Sequence, residues 1–221
     1  MESSKKPYKS AIFDFDGTLI DSFAGIAECL QRTAIEFLGL EKPLEFFRPF
    51  SGPLIIDGFK QFFNLSDDKA MEAAMRFRDL YIEYGVNNYT VFDGIPELLQ
   101  SLKESGIKTA IVSNKVVSDI EEILIREDLI RLFDVIKAVE FHGHRTTKAE
   151  NIEKVLSHFG FSKADAVMVG DRYFDAEGAE VAGIDFVAAL YGGCGPREEF
   201  NRYPCVYFAK NAADIKSFLL G

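Results

Sequence analysis

The chain has 221 residues, 48% hydrophobic and 27% charged, with a formal net charge of −10. This is the profile of a globular protein with a sizeable core, large enough for one domain or for a core with a small insertion, and it excludes a disordered chain. The acidic balance excludes nonspecific binding to nucleic acid or anionic lipid, yet it permits a small phosphate ester held by a local cationic cluster at short range.

No apolar run approaches the ~20 residues that a membrane-spanning helix needs. The opening MESSKKPYKS carries no apolar stretch of the signal-peptide kind, so a cytoplasmic location is expected, with residues 1 to 8 as a loose polar arm. Cys29, Cys194 and Cys205 lie far apart with no CxxC pair and read as free thiols.

In chain order, the first apolar run is Ala11 to Phe13. Residues 22 to about 90 then contain no strand-like run. Two helical faces fill the interval, one through Ile26, Cys29, Leu30, Ala34 and Phe37, the other through Ala70, Ala73, Ala74, Phe77, Leu80, Tyr81 and Tyr84. Between them Phe46, Phe47, Phe50, Phe59, Phe62 and Phe63 predict the core of a small helical domain. From residue 96 onward, apolar runs at Thr109 to Val112, Val135 to Val139, Ala166 to Val169, Phe186 to Leu190 and Cys205 to Phe208 alternate with helical stretches. One such stretch carries Leu98, Leu99 and Leu102 and stops at Gly106; another carries Ile152, Val155, Leu156 and Phe159 and stops at Gly160. Continuous apolar strands alternating with helices predict an α/β, doubly wound parallel sheet of Rossmann-like type. The core is expected over 1–21 and 91–221, with an inserted small helical cap over 22–90.

The first strand runs into Asp14-Phe15-Asp16-Gly17-Thr18-Leu19-Ile20-Asp21-Ser22. In an open parallel sheet the ligand site lies beyond the carboxyl ends of the strands, where Asp14 falls. Two carboxylates two residues apart, followed by a glycine that permits a tight turn, can divide nucleophilic and proton-transfer roles. The alternatives are a turn with solvated acids or part of a calcium loop, although the further ligands and late glutamate of a calcium loop are missing. Ser113 and Asn114 follow the strand at 109–112, and alone they are equally ordinary loop or cap residues. Lys148 opens a helix after His142-Gly143-His144-Arg145-Thr146-Thr147 and is either a charge-balancing cation or solvated surface. Gly170-Asp171-Arg172-Tyr173-Phe174-Asp175 places two acids at another strand end, which suits a magnesium ion.

Taken in order, DFDGTLIDS at 14–22, SN at 113–114, Lys148 and GDRYFD at 170–175 resemble the four motifs of the haloacid dehalogenase superfamily, over nearly the whole chain. The resemblance implies a helical cap after the first motif. It also implies a magnesium-dependent phosphatase acting on a small phosphorylated metabolite, with Asp14 as nucleophile forming an aspartyl-phosphate and Asp16 as general acid and base. Thr18 and Ser113 would hold phosphoryl oxygens, Lys148 would balance charge, and Gly17 and Asn114 would lie with the substrate. The metal would be held by Asp14, the Asp16 backbone carbonyl and Asp171, with Asp175 as a further ligand or as its orienter.

The acid at position 16 argues against a carbon–halogen hydrolase, whose leaving halide needs no proton. A phosphonate-cleaving relative would need a cap lysine, and Lys42, Lys60 and Lys69 have no motif around them. A phosphosugar mutase of the β-phosphoglucomutase type is the alternative enzyme, and a non-catalytic binding protein the alternative class. The segments Val167 to Arg172, Ser51 to Leu54 and Tyr191 to Gly195 resemble the phosphoglycolate phosphatase-like branch, which also holds nucleotidases. Arg48, Lys115 and Arg145 are candidates to meet a second anionic group of the substrate, against ordinary surface solvation. His142, His144 and His158 read as ordinary polar residues without the partners of a zinc site, and Cys194 as a loop thiol.

Overall fold

The computed structural model describes residues 8–140, 145–193 and 195–221. Strand β1 (Ser10–Phe13) leads to a two-residue strand β2 (Ile20–Asp21). Helix α1 (Phe23–Leu38), a 3-10 stretch (Leu44–Phe50), α2 (Ile55–Phe63) and α3 (Asp67–Glu83) follow, and β3 (Thr90–Val91) returns the chain. The remainder alternates as α4 (Ile95–Glu104), β4 (Lys108–Val116), α5 (Val117–Arg126), β5 (Val135–Val139), α6 (Lys148–Phe159), β6 (Ala166–Gly170), α7 (Tyr173–Ala182), β7 (Asp185–Ala189), β8 (Cys205–Ala209) and α8 (Ala212–Leu220).

Six strands form one parallel sheet in the order β5-β4-β1-β6-β7-β8. The apolar runs are continuous because both faces are covered. Ala11, Phe13, Ile111, Val167 and Val169 point to the side of α4, α5 and α8, while Ile12, Ala110, Val112 and Met168 point to the side of α6 and α7. Alternate side chains thus enter opposite cores, so a strand buried on both sides shows no period of two in polarity. Helix α6 starts at a capping box in which Thr147 accepts from the Glu150 N–H and Glu150 from the Thr147 N–H, and it stops at Gly160 in the left-handed conformation.

The two predicted helical faces fall on α1 and α3, and two features differ from the sequence reading. β2 pairs antiparallel with β3, Ile20 opposite Val91, so a short ribbon carries the chain out of the core and back. Two-residue strands leave no apolar run to detect. Within the interval Phe47, Phe50 and Phe59 are buried, worth about 1.5–3 kcal/mol each relative to exposure. Phe50 is the hub, with ring centroids 5.0–6.2 Å from those of Phe47, Phe59, Phe62 and Phe63. Phe46 and Phe62, expected inside, are partly open, and Phe37 and Tyr84 project at 39% and 45% exposure. Phe37 lies in the last turn of α1 and Tyr84 just past the end of α3, where the Arg32 guanidinium covers its ring at 4.4 Å. Cys29 and Cys205 are free thiols, and no described helix is long and apolar enough to cross a membrane. His142, His144, Cys194 and most of the N-terminal arm lie outside the described residues.

Candidate active site

Sheet order brings the candidate residues together. β4, β1 and β6 are neighbours, so Ser113, Asp14 and Asp171 project from adjacent carboxyl ends. The Asp14 N–H donates to Val169 O at 2.9 Å, which extends the β1–β6 pairing to the site. The turn that follows needs glycine twice over. Gly17 has φ +79°, and a Cβ there would fall 2.3 Å from Asp171 Oδ2.

Asp14, Asp171 and Asp175 form a buried cluster whose nearest carboxylate oxygens all lie within 4.8 Å of one another. Asp175, in the first turn of α7, is fully committed: Oδ1 accepts from Lys148 Nζ and Oδ2 from the Arg172 N–H at 3.1 Å. Lys148 Nζ also lies 3.1 Å from Asp14 Oδ1. As the first residue of α6 this cation opposes the helix macrodipole, an unfavourable placement that its two carboxylate partners offset. Thr18 Oγ1 donates to Asp171 Oδ1 at 3.4 Å. Among the described residues, the buried Asp14 Oδ1, whose contact with Lys148 is an ion pair, and Asp171 Oδ2 have no hydrogen-bond partner.

The charges do not balance. Burial, then the Asp175 carboxylate, push the Asp14 carboxyl up to about 6 against the pull of Lys148. Burial, then the Asp175 and Asp14 carboxylates, raise Asp171 well above its ordinary value against the pull of Arg172 and Lys148. Three carboxylates around one ammonium, two of them with an orphaned oxygen, form an all-oxygen donor set that fits a hard divalent cation. Burial works to lower the Lys148 ammonium, but Asp14 and Asp175 outweigh it and hold its pKa above the ordinary lysine value.

Asp16 stands apart from this cluster and faces a different set of partners. Ser22 Oγ donates to Asp16 Oδ1 at 2.5 Å, and Lys115 Nζ reaches both carboxylate oxygens at 3.0 and 3.2 Å. The same ammonium donates to the Tyr81 hydroxyl of α3 at 2.6 Å. Asp14 and Asp16 both open onto a cavity of about 580 Å³, walled on one side by the sheet ends and on the other by the helical interval. A volume of that size suits a ligand well beyond a phosphoryl group alone.

Of the other expected site residues, Ser113, Asn114, Lys115 and Arg145 also line the cavity. Ser113, Asn114 and Lys115 belong to β4 itself, which continues past Val112 with a register shift rather than giving way to a loop. Asn114 Nδ2 donates to Gly52 O at 2.7 Å, and Arg145 is ion-paired with Asp57. Arg48 is not on the cavity wall: it pairs with Glu45, donates to Gly193 O at 2.7 Å and covers the Phe23 ring. Four contributing residues had no separate signal in the sequence. Tyr81 reads only as part of a helix face; Arg78 and Asp119 form a forked ion pair across 41 residues; Arg172, within the last motif, donates to Ser51 O.

The comparisons agree with this geometry. A family model described as haloacid dehalogenase-like hydrolase matches residues 11–189. A 5'-nucleotidase from Pseudomonas aeruginosa is 30% identical over 220 residues, 99% of each chain. A phosphoglycolate phosphatase from Aquifex aeolicus is 34% identical over 183 residues, 82% of this chain and 84% of that one. The crystal structure of a predicted phosphatase from Clostridium acetobutylicum superposes with a TM-score of 0.91 at 28% identity, covering 97% of this chain and 99% of the other. With the four motifs converging at the sheet's carboxyl edge, the chain belongs to the haloacid dehalogenase-like hydrolase family.

Proposed function

We propose that this protein is a magnesium-dependent phosphatase that hydrolyses a small phosphorylated metabolite through an aspartyl-phosphate on Asp14. The observation that carries the reading is a pair of buried oxygens without a hydrogen-bond partner among the described residues, Asp14 Oδ1 beside Lys148 and Asp171 Oδ2, with Asp14 itself on the wall of the cavity that Asp16 also faces. Asp14 and Asp171 would hold the ion. Both Asp175 oxygens are already engaged, so Asp175 orients Lys148 and the start of α7. When bound, the ion neutralises the charge that would otherwise set carboxylate and phosphate against each other.

The chain's own groups divide the remaining work. A carboxylate oxygen of Asp14 attacks phosphorus as the bond to the ester oxygen breaks, and Asp16 protonates the departing alkoxide. Water then attacks the phosphorus of the aspartyl-phosphate, Asp16 takes its proton, and inorganic phosphate leaves with Asp14 restored. Ser113 and Thr18 hold the phosphoryl group, and Lys148 counters its charge, consistent with the dominance of positioning and electrostatics in phosphoryl transfer. The interval 22–90 acts as a cap, entering and leaving through the β2–β3 ribbon. The named relatives bring nucleoside monophosphates and phosphoglycolate as candidate substrates.

Phosphate release from a panel of metabolite phosphates, with magnesium and with a chelator, tests the reading. Magnesium-dependent release that disappears in Asp14→Asn is expected. Release that persists in that variant overturns the nucleophile assignment, and conversion of a hexose 1-phosphate to its 6-phosphate without release replaces hydrolysis with mutase activity.

A further inference from the structure

Most of the cavity wall is apolar. Phe50, Leu54, Ile55, Met71, Met75 and Phe77 supply most of the face opposite the sheet, all from the helical interval. Among the described residues three cations line the cavity, and each is already matched by a carboxylate: Lys115 by Asp16, Arg78 by Asp119 in a forked pair, and Arg145 by Asp57. Asp119 and Glu140 add negative charge to the same wall. Against the described residues, a second anionic group on a substrate would have to break an existing ion pair, which is unfavourable for the largely buried Arg78–Asp119 and Lys115–Asp16 pairs, or enter an apolar surface uncompensated. A large uncharged body meets no such barrier. It replaces water against the apolar side chains, and the unbranched Met71 and Met75 can adapt to its outline.

We propose that the cavity selects phosphate monoesters whose alcohol carries a large, uncharged, largely apolar or aromatic body, and disfavours short esters that bear a second anion. This rests on the phosphatase reading above and chooses between the substrate types that it leaves open. Nucleoside monophosphates fall in the favoured class and phosphoglycolate in the disfavoured one. The three ion pairs are the selective device, because they use up the cationic groups that a distal carboxylate would seek.

The test compares a nucleoside monophosphate, 1-naphthyl phosphate and phosphoglycolate in two ways: as substrates of the wild-type protein with magnesium, and as ligands of Asp14→Asn by calorimetry. The two bulky esters are expected to exceed phosphoglycolate at least tenfold both in kcat/KM and in affinity. In Leu54→Lys, which adds an unmatched cation to the wall, phosphoglycolate is expected to gain at least fivefold relative to naphthyl phosphate. Equal or reversed affinities in Asp14→Asn, or no binding of any ester, overturn the proposal. Absence of turnover for all three with the affinity order preserved overturns the phosphatase reading and leaves the selection intact.

Discussion

Two buried lysines stand on either side of the DxDG turn, and they are held differently. Lys148 lies between Asp14 and Asp175, so its partners come from the ends of β1 and the start of α7, within the sheet and its flanking helices. Lys115 lies between Asp16 and Tyr81, and Tyr81 belongs to α3 in the inserted interval. Both side chains are nearly closed to solvent, at 6% and 5% exposure, and in both the neighbouring groups outweigh burial and keep the ammonium charged. The first assembly is complete without the helical interval. The second exists only while α3 rests over the sheet. The group that would attack phosphorus thus keeps its cation whatever the helical interval does, whereas the group that would move the proton takes part of its orientation from that interval. A cap that closes over substrate could complete the proton-transfer geometry in the same movement that excludes water.

The largest expected effect comes from breaking the permanent assembly at its reactive member. Asp14→Asn should lower kcat by on the order of 10⁴-fold or more, a loss typical of a residue whose partners act with it as a unit. Lys148→Met should follow, with steady-state kinetics showing a fall of ~10²–10⁴ in kcat for want of charge balance. It should also destabilise the fold by ~3 kcal/mol in denaturant titration, because Asp14 and Asp175 would stay buried without their cation. Lys115→Met should cost less stability than Lys148→Met, since Asp16 is 23% open to water and can be solvated. Its kcat should fall by roughly 10- to 100-fold, the scale of a displaced proton-transfer group.

A fourth expectation concerns the metal-free protein. The Asp14 carboxyl is pushed above its unfolded value, to about 6, so between roughly pH 4 and pH 6 the folded state holds the proton more tightly than the unfolded state. Stability from this group is greatest below pH 4 and is lost as pH rises through 6. In chelator, Asp14→Asn should therefore raise the melting temperature at pH 7.5 by a few degrees and change it little at pH 4, for a gain of at most about 2–3 kcal/mol. A melting temperature lowered equally at both pH values would show that Lys148 fully offsets the crowding of carboxylates.

The sequence shows these two assemblies unequally, and the reason is physical. Parallel strands buried on both faces leave continuous apolar runs, and a parallel sheet collects its loops at one edge, so Asp14, Ser113 and Asp171 could be placed together from pattern alone. Lys148 was legible only as one of the four motifs in order, since alone it reads equally as solvated surface; the Thr147 capping box that fixes it at the start of α6 is a finding of the structure. What pattern could not show depends on tertiary packing. The polar residues Ser113, Asn114 and Lys115 interrupt the apolar signal of β4 although the strand continues to Val116. The Arg78–Asp119 and Arg145–Asp57 pairs join positions 41 and 88 residues apart, with no local spacing to mark them. Arg145 and Lys115 looked free to meet a second anion, and only their partners reveal that this capacity is occupied. Tyr81 carries the same signal as Phe77 and Leu80, an aromatic or aliphatic place on a buried helix face, while its hydroxyl does something that they cannot.

That hydroxyl gives the smallest and most discriminating expectation. Tyr81→Phe keeps the ring and its packing against Phe77, whose centroid is 5.7 Å away, and removes only the hydrogen bond to Lys115 Nζ. The ammonium keeps Asp16, so the cost should be about 1–2 kcal/mol in stability, with kcat lowered tenfold or less. The informative result is the pattern of coupling. Tyr81 and Lys115 share a contact, so Tyr81→Phe combined with Lys115→Met should fall short of the sum of the single losses in kcat. Combined with Lys148→Met, which removes no partner of Tyr81, its effect should add within ~0.5 kcal/mol. Equal coupling to both lysines would mean that the helical interval supports the whole site through packing, and the distinction between a permanent and a cap-dependent assembly would be lost.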